Sequence, residues 1–332
     1  MKKQDQSEVT LPQNKTGETV DLGRKFLRPN TIIALIVSVV VVYIFLRRFD
    51  LGQTLRILTQ INIWLFGAAL LIFYLSLPLR GHRWQVLLKE SRVGLPVHEL
   101  SRYYLLAWFA NCLLPARIGD IYRAFLLKKN RAVSFSLSLA VLFSEKIFDL
   151  ASTAILVLLG GWFYFDKINQ PNLRRAIISG LIIIGLIIAM FTIFAWRGGL
   201  LRKLIPQKFR NYYESFRQGL FRSPKKIPLV ALESLVIWLS EAARLFLVAL
   251  ALGARIDFLL AVFISQASLI LMSLPLTPAG LGLVELLMLT LFQQAGLANE
   301  SAAALVIADR LISFWSLILF GGIHYLMSPR KR

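Results

Sequence analysis

Proline and glycine interrupt two apolar segments of the chain, and these two interruptions decide the fold. Residues 111–120 read NCLLPARIGD, and residues 274–285 read LPLTPAGLGLVE. Each stretch contains a Pro-Ala pair, a glycine four residues after that proline, and a carboxylate shortly beyond. Irregular backbone at membrane depth persists only where protein or water satisfies its polar groups. We therefore predict re-entrant hairpins within residues 100–128 and 257–296, with two ordinary kinked helices in each region as the alternative.

The composition favours a membrane protein. Of the 332 residues, 57% are hydrophobic and 17% are charged, and the net charge is +20, whereas soluble domains average roughly 45–50% apolar and about 25% charged residues. The high hydrophobicity excludes a disordered chain. It is also unlike a soluble nucleic-acid binder, so we expect no nucleic-acid partner. The single cysteine, Cys112, excludes an internal disulfide, and no residues have metal-ligand spacing, so we predict no metal and no cofactor.

Six further segments are apolar and approach or exceed the roughly 20 residues that a membrane crossing needs. They cover residues 31–46, 61–79, 133–165, 173–196, 227–252 and 302–327. The predicted fold is all-α: a polytopic membrane helical bundle with about six full spans and two broken, re-entrant hairpins in an inverted repeat. A single transmembrane domain covers residues 31–327, with repeat units at about 98–165 and 257–327. A polar N-terminal tail (1–30) and a basic C-terminus (328–332) flank it.

The distribution of Lys and Arg predicts the orientation in the membrane. With a cytoplasmic N-terminus, the inner segments 1–30, 80–102, 117–131, 197–226 and 328–332 hold 28 of the 38 basic residues. The outer loops 47–60, 166–175 and 253–257 hold seven. This asymmetry requires each hairpin to return to the side from which it entered. We expect a multi-pass protein of the cell membrane with both termini in the cytoplasm.

A long helix follows each break and carries an adjacent acid–base pair. Glu145-Lys146 and Asp309-Arg310 lie 30 and 31 residues after the proline of the Pro-Ala pair. Each helix then closes with a Gly-Gly pair. Because three predicted crossings separate the copies, the second unit is inverted relative to the first. Inverted repeats with broken helices at corresponding positions point to the binding site of a transporter.

Charged side chains at the bilayer centre cost at least about 2.5–3.5 kcal/mol each, so those within the predicted spans are candidates for function. The predicted headgroup-binding residues are Arg117, Asp120, Arg123, Glu145, Lys146, Asp149, Gly280, Gly282, Glu285, Asp309 and Arg310. The two glycines precede a helix start, where free N–H groups can face an anion. Glu241 and Arg244, three residues apart, are predicted to form a structural ion pair. The alternatives are that the other charges also form structural pairs and that the hairpin arginines reach headgroups at the membrane boundary.

Three stretches resemble motifs of the lysylphosphatidylglycerol synthase transmembrane region family. They are PARIGDIYR (115–123), SEKIFD (144–149) and PAGLGLVE (278–285), and the resemblance covers residues 30–327. It implies a flippase-like integral membrane protein that moves a lipid with a charged headgroup between leaflets. The residues that it places along the translocation groove are Arg117, Asp120, Arg123, Glu145, Asp149, Gly282 and Glu285, with Asp at position 120 where the family pattern has Glu. Two-domain relatives carry a soluble aminoacyltransferase domain that this chain lacks, so we expect no lysyl transfer.

We therefore expect a lipid translocase and no enzymatic activity. The headgroup, which is anionic, aminoacylated or a polyprenyl phosphate, would cross through a polar cavity between the inverted repeats. The expected partners are membrane lipids with charged headgroups, and we also allow for a homo-oligomer and a separate lipid-modifying enzyme. The alternatives are a membrane-embedded transferase acting on lipid-linked sugars, with Asp120 or Glu285 as base, and a scaffold for a soluble partner.

Overall fold

All regular elements of the computed structural model are helices within the residues that it describes. These are residues 29–89, 93–114, 117–164, 226–273 and 277–327, with scattered positions between 171 and 189. The helices are α1 (Pro29–Leu46), α2 (Leu51–Thr59), α3 (Ile63–Lys89), α4 (Val97–Leu113), α5 (Ile118–Arg131), α6 (Phe135–Tyr164), α7 (Ile227–Ala251), α8 (Phe258–Ser273), α9 (Leu283–Gln294), α10 (Asn299–Arg310) and α11 (Ser316–Met327). A 3₁₀ turn, Pro278–Gly280, precedes α9, and a π-helical turn, Leu311–Trp315, joins α10 to α11. The predicted all-α class is confirmed.

Three helices are long and apolar enough to cross a membrane: α3, α7 and the continuous α10–α11 helix, Asn299–Met327. They match three predicted spans, although α3 continues ten residues beyond its predicted end. α1 and α6 match two more spans in extent, and α2 is a short helix within a predicted outer loop. Most of the predicted span 173–196, the tail 1–28 and the C-terminus 328–332 lie outside the described residues.

The first broken region is a hairpin. The start of α4 meets the end of α5, where Arg131 donates two hydrogen bonds to the carboxylate of Glu99, one of them at 2.8 Å. These bonds hold the pKa of Glu99 below its usual range. α4 has 17 residues and is therefore about 25 Å long, which is less than the roughly 30 Å of a hydrocarbon core. The two helices form a hairpin, as the re-entrant prediction requires, and the depth of this hairpin in the membrane stays a prediction.

The second broken region is a hairpin that enters from the opposite end of the molecule. Leu260 at the start of α8 and Phe292 near the end of α9 pack in one hydrophobic cluster. Asn299 begins the α10–α11 helix directly after this hairpin, and at the far end of that helix His324 accepts a hydrogen bond from Arg102 of α4 at 3.4 Å. A helix of 29 residues thus separates the open ends of the two hairpins. The two hairpins thus open towards opposite ends of the molecule, as the predicted inverted repeat requires, and the end that faces the cytoplasm stays a prediction.

The closed ends of the two hairpins meet in the interior. Each break contains a left-handed residue that is not glycine, Arg117 with φ 50° and Ala279 with φ 46°. Ala279 packs in the same hydrophobic cluster as Cys112, which lies near the end of α4. The two breaks therefore lie on one buried region that both hairpins approach from opposite ends. Pro115, Ala116 and Pro275 fall outside the described residues.

The glycine pairs that close the two long helices make reciprocal contacts. A Cβ atom at Gly160, near the end of α6, would lie 2.9 Å from the Cβ of Phe263 on α8. A Cβ atom at Gly321 of α11 would lie 2.7 Å from the Cβ of Phe109 on α4. Each long helix thus packs closely against the first half of the other unit's hairpin. This close approach explains why both helices have glycine at this point.

Alanine at Gly160 or Gly321 is expected to destabilise the protein by about 1–3 kcal/mol, because the added Cβ overpacks the contact with the facing phenylalanine. The matched controls are the neighbouring glycines, Gly161 and Gly322, where a Cβ would meet only ordinary contacts at 3.5 Å. Alanine there should leave stability unchanged or raise it by up to about 1 kcal/mol through helix propensity. Unfolding of the purified variants in mixed micelles measures both effects. Equal effects at neighbouring positions would contradict the reciprocal packing.

Candidate functional site

A network of charged side chains surrounds the point where the two hairpins meet. Its cations are Arg80, Arg83, Arg117, Arg123, Lys146, Arg244 and Arg310, and its carboxylates are Asp120, Glu145, Asp149, Glu241, Glu285 and Asp309. All predicted site residues other than the two glycines belong to this network. Two members, Arg80 and Arg83, were not predicted as site residues.

In the first unit, the pairs join three different helices. Arg83 of α3 is fully buried and donates to Glu145 at 2.9 Å and to Asp149 at 2.6 Å, both on α6. Arg123 of α5 is also fully buried and lies 3.1 Å from the second carboxylate oxygen of Glu145. Tyr104 of α4 donates a further hydrogen bond to Glu145. Glu145 is therefore held by partners from other helices rather than by its neighbour in sequence.

In the second unit, the corresponding carboxylate has a corresponding partner. Asp309 of α10 forms an ion pair with Arg244 of α7. Arg244 also lies 3.3 Å from Glu241, so the two residues predicted to pair are in contact within a larger chain of contacts. Asp309, like Glu145, is almost completely buried. In each unit, an arginine from the long helix that precedes the hairpin thus binds the acidic member of the repeated acid–base pair.

The basic members of the repeated pairs bind the carboxylates that follow the breaks. Lys146 lies 3.2 Å from Asp120, which is in the first turn of α5. Arg310 donates to Glu285, in the first turn of α9, at 2.6 Å. The two halves of the molecule therefore use the same connection between the second hairpin helix and the long helix after it. This equivalence supports the repeat that the sequence predicts.

Within the described residues, one ion pair between an arginine and a carboxylate connects the two units directly. Arg80 of α3 donates to Glu241 of α7 at 2.9 Å, with only 5% and 12% of the two side chains exposed. The guanidinium of Arg80 lies between the rings of Trp108 and Trp238, 4.9 Å and 4.8 Å from their centres. Cation–π contacts of this kind strengthen when water is excluded. Arg80 is therefore fixed on three sides at the interface between α3 and α7.

Sequence reasoning assigned Arg80 and Arg83 to an inner loop, and this assignment was wrong because α3 extends through both positions. Both side chains are buried inside the bundle instead of lying at a membrane surface. A signal for them was present in the spacing. Arg80 and Arg83 are three residues apart, as are Glu241 and Arg244. The second residue of each set also lies at a similar distance before a Pro-Ala pair: Arg83 precedes its proline by 32 residues and Arg244 by 34.

A cavity of about 140 Å³ lies within the network. Of the predicted site residues, those that line it are Arg117, Asp120, Lys146, Asp309 and Arg310, together with the pair Glu241 and Arg244. Polar side chains from both hairpins, among them Asn111 of α4 and Thr277 before the 3₁₀ turn, complete the lining with Trp108 and Trp238. The predicted residues outside the lining are Arg123, Glu145, Asp149, Gly280, Gly282 and Glu285. The charged members of this second group bind residues that face the cavity or hold neighbouring helices together.

The two predicted glycines shape the second break rather than the cavity wall. Gly280 and Gly282 have φ angles of 70° and 88°, in the region that favours glycine. The N–H of Gly282 donates to the Glu285 carboxylate at 2.6 Å. This N–H therefore has an internal partner, contrary to the expectation that it would face an anionic ligand. Glu285 in turn connects the start of α9 to Arg310.

These features define a polytopic helical membrane protein with a charged cavity at the junction of two inverted hairpins. The family described as "Lysylphosphatidylglycerol synthase TM region" matches residues 31–321, and the chain belongs to this family. The predicted resemblance is thereby confirmed. Together with the apolar helices, it identifies an integral membrane protein.

Several relatives bear the name UPF0104 membrane protein. The chain is 31% identical to a UPF0104 membrane protein of Methanocaldococcus jannaschii, over 67% of this chain and 95% of the relative. It is 24% identical to a UPF0104 membrane protein of Pyrococcus horikoshii, over 90% of this chain and 97% of the relative. These matches support the family and a shared membrane domain.

A further relative corrects one prediction. The chain is 26% identical to "Glycosyltransferase AglD" of Haloferax volcanii, over 92% of this chain and 55% of that protein. The expectation of no enzymatic activity was wrong, because this relative is named as a glycosyltransferase. The sequence lacked a recognisable donor site, and that absence was insufficient ground for the exclusion.

The pair between Arg80 and Glu241 is expected to couple the two units energetically. Replacing either residue with Gln should destabilise the protein by about 3–5 kcal/mol, because the remaining partner stays buried without its counter-charge. The double substitution should cost clearly less than the sum of the two single ones. The free energy of unfolding in mixed micelles, measured as a double-mutant cycle, tests this coupling.

The matched control is the same cycle at Arg131 and Glu99, a pair at the open end of the first hairpin with 48% and 15% of its side chains exposed. Water screens this pair, so its coupling should be small. Additive effects of the Arg80 and Glu241 substitutions would contradict the role assigned to the buried pair.

Proposed function

We propose that the chain moves a lipid with an anionic headgroup between the leaflets of the cell membrane. The headgroup would occupy the cavity while the hydrocarbon chains of the lipid stay in the bilayer. One observation carries this proposal: the cavity lies where two oppositely directed hairpins meet, and charged side chains of both units line it. Membrane lipids with charged headgroups are thus the proposed partners.

The physical task of such a protein is to lower the cost of moving charge through hydrocarbon. An isolated ionised group is strongly disfavoured in a medium of low dielectric constant unless it is paired. Five basic side chains and three carboxylates line the cavity, so its fixed charges favour an anion. An ordinary structural core would bury apolar residues at these positions, since a buried ion pair is a poor substitute for apolar packing.

Alternating access would follow from the inverted arrangement. The first hairpin opens to one end of the molecule and the second to the other, and their closed ends bound the cavity. Rocking of one unit against the other at the α3–α7 interface would expose the cavity to each side in turn. We propose that both termini face the cytoplasm, which agrees with the excess of basic residues in the predicted inner segments.

Cys112 offers a direct test because it is the single cysteine of the chain and lines the cavity. In proteoliposomes, the protein should accelerate the exchange of fluorescent phosphatidylglycerol between leaflets, measured by reduction of the outer-leaflet fluorophore. Cys112 is buried, so a charged, membrane-impermeant thiol reagent should reach it only when the cavity opens to one side during transport, and should then block the exchange. The block is expected because the adduct occupies a cavity of about 140 Å³.

The Cys112→Ala variant is the control and should exchange lipid with or without the reagent. Exchange no faster than in protein-free vesicles, with wild-type protein that is folded and inserted, would rule out translocation. Exchange that persists after complete modification of Cys112 would place the lipid path outside this cavity.

A membrane-embedded transferase that acts on lipid-linked sugars is the second candidate, and the name of the Haloferax volcanii relative favours it. Of the two bases considered, Asp120 suits the role better because it lines the cavity. Both carboxylate oxygens of Glu285 already accept hydrogen bonds, from Gly282 and Arg310. Conversion of a polyprenyl-phosphate sugar in detergent, where sidedness is lost, tests this candidate. Product from wild-type protein and none from Asp120→Asn would support it, whereas no product would count against it.

A further inference from the structure

The charges of the network balance except at one position. Each of the six carboxylates has a cationic partner of its own. The pairs are Arg80–Glu241, Arg83–Asp149, Arg123–Glu145, Lys146–Asp120, Arg244–Asp309 and Arg310–Glu285. Arg117 is the seventh cation, and within the described part of the chain its side chain has no ion pair. A further buried carboxylate, Glu233, lies outside the network and does not line the cavity; it contacts His82 at 2.6 Å, a partner that is cationic only when protonated.

Arg117 is placed at the cavity by the backbone of the first break. It occupies the left-handed region, with φ 50° and ψ 39°, directly before α5. Its side chain lines the cavity, where the second break contributes the uncharged Ala279. At the cavity, the two breaks thus differ by one guanidinium. A guanidinium stays charged at any relevant pH and binds phosphate oxygens in a bidentate manner.

Thr277 provides an independent sign of a ligand at the second break. Its side chain lines the cavity and is only 3% exposed. Its hydroxyl group has no hydrogen-bond partner among the residues that the structure describes. A buried hydroxyl without a partner loses its hydrogen bonds to water without compensation, and an anionic oxygen in the cavity would recover this loss by accepting its hydrogen bond.

We propose that the cavity recognises a phosphodiester, a phosphate group with one negative charge, through Arg117 and Thr277. This inference rests on the proposed function and names the chemical class of the headgroup. A phosphodiester carries a single negative charge, which matches the one cation without a partner. A phosphomonoester carries about −1.5 to −2 at neutral pH and would leave excess negative charge in a site of low dielectric constant. Arg117 supplies the counter-charge, and Thr277 supplies a neutral donor from the opposite hairpin.

Binding is tested on the full chain in uncharged detergent by the shift of its thermal unfolding midpoint. Phosphatidylglycerol, a phosphodiester lipid, should raise the midpoint more than phosphatidic acid, a phosphomonoester lipid, at equal mole fraction. Two soluble probes, glycerophosphoglycerol and inorganic phosphate, distinguish a requirement for lipid from recognition of the free group. Stabilisation by glycerophosphoglycerol but not by inorganic phosphate would support phosphodiester recognition. Equal or greater stabilisation by phosphatidic acid would overturn it.

Two substitutions separate the roles of the proposed ligand groups. Arg117→Gln should abolish the difference between the two lipids, because the counter-charge is lost. Thr277→Val should weaken phosphatidylglycerol binding about tenfold, yet the midpoint without lipid should stay the same or rise, since this hydroxyl has no partner to lose. A purely structural threonine would instead lower that midpoint. Lys128→Gln, at an exposed position of α5, is the charge-matched control and should behave like wild type.

Changing the fixed charge of the cavity tests whether its single excess positive charge sets the lipid preference. Asp120→Asn adds one net positive charge and should shift the preference towards phosphatidic acid. Asn111→Asp removes the excess positive charge and should weaken binding of both lipids. The new carboxylate can still accept the hydrogen bond from the Gly119 N–H, which is 2.8 Å long in the wild-type protein. A lipid preference that is the same in wild type and both variants would overturn the inference.

The two proposals fail separately. Phosphodiester-selective binding without leaflet exchange would leave the inference standing and remove the translocase. Exchange that is indifferent to headgroup charge and to Arg117→Gln would leave the translocase standing and remove the inference.

Discussion

The ion pair between Arg80 and Glu241 joins the two halves of the molecule at the contact between α3 and α7. Removing two charges from water costs several kcal/mol per ion, and their attraction repays this only with good geometry and further partners. Both conditions are met here, because Trp108 and Trp238 enclose the guanidinium and Arg244 lies beside the carboxylate. The pair therefore fixes the register of α3 and α7, the long helices that precede the two hairpins. The cavity between the breaks depends on that register.

The same positions reveal how far the internal repeat extends. Arg80 and Arg83 on α3 correspond to Glu241 and Arg244 on α7, with the same spacing of three residues. The first members of the two sets bind one another, and the second members each bind the acidic residue of the acid–base pair in their own unit. Each structural unit therefore includes the long helix before its hairpin, in addition to the segments 98–165 and 257–327 that the sequence indicates.

The sequence predicts those parts of the structure that depend on local chemistry. Breaks at proline and glycine, apolar spans and the acid–base pair after each break all follow from residue type and spacing. The partners of these charges cannot be predicted in this way, because Glu145 and Lys146 are adjacent in sequence yet bind residues on other helices. Arg83 was missed for a related reason: a basic residue after an apolar run is usually at the membrane surface. Burial of an arginine depends on carboxylates 62 and 66 residues away, which no local pattern encodes.

The division of the ion pairs between and within units bears on how the molecule could move. Most of the pairs join elements of the same unit, so rocking one unit against the other would leave them intact. Several polar contacts join the two units within the described residues, and such a motion would strain them. They are Arg80 with Glu241, His82 with Glu233, Arg83 with Ser234, Trp238 with Asp149, Tyr74 with Ser316 and Arg102 with His324. Of these contacts, the pair of Arg80 and Glu241 is the one whose two members both line the cavity. A headgroup in the cavity would be well placed to satisfy Arg80 during the motion, which would couple occupancy of the cavity to movement of the units.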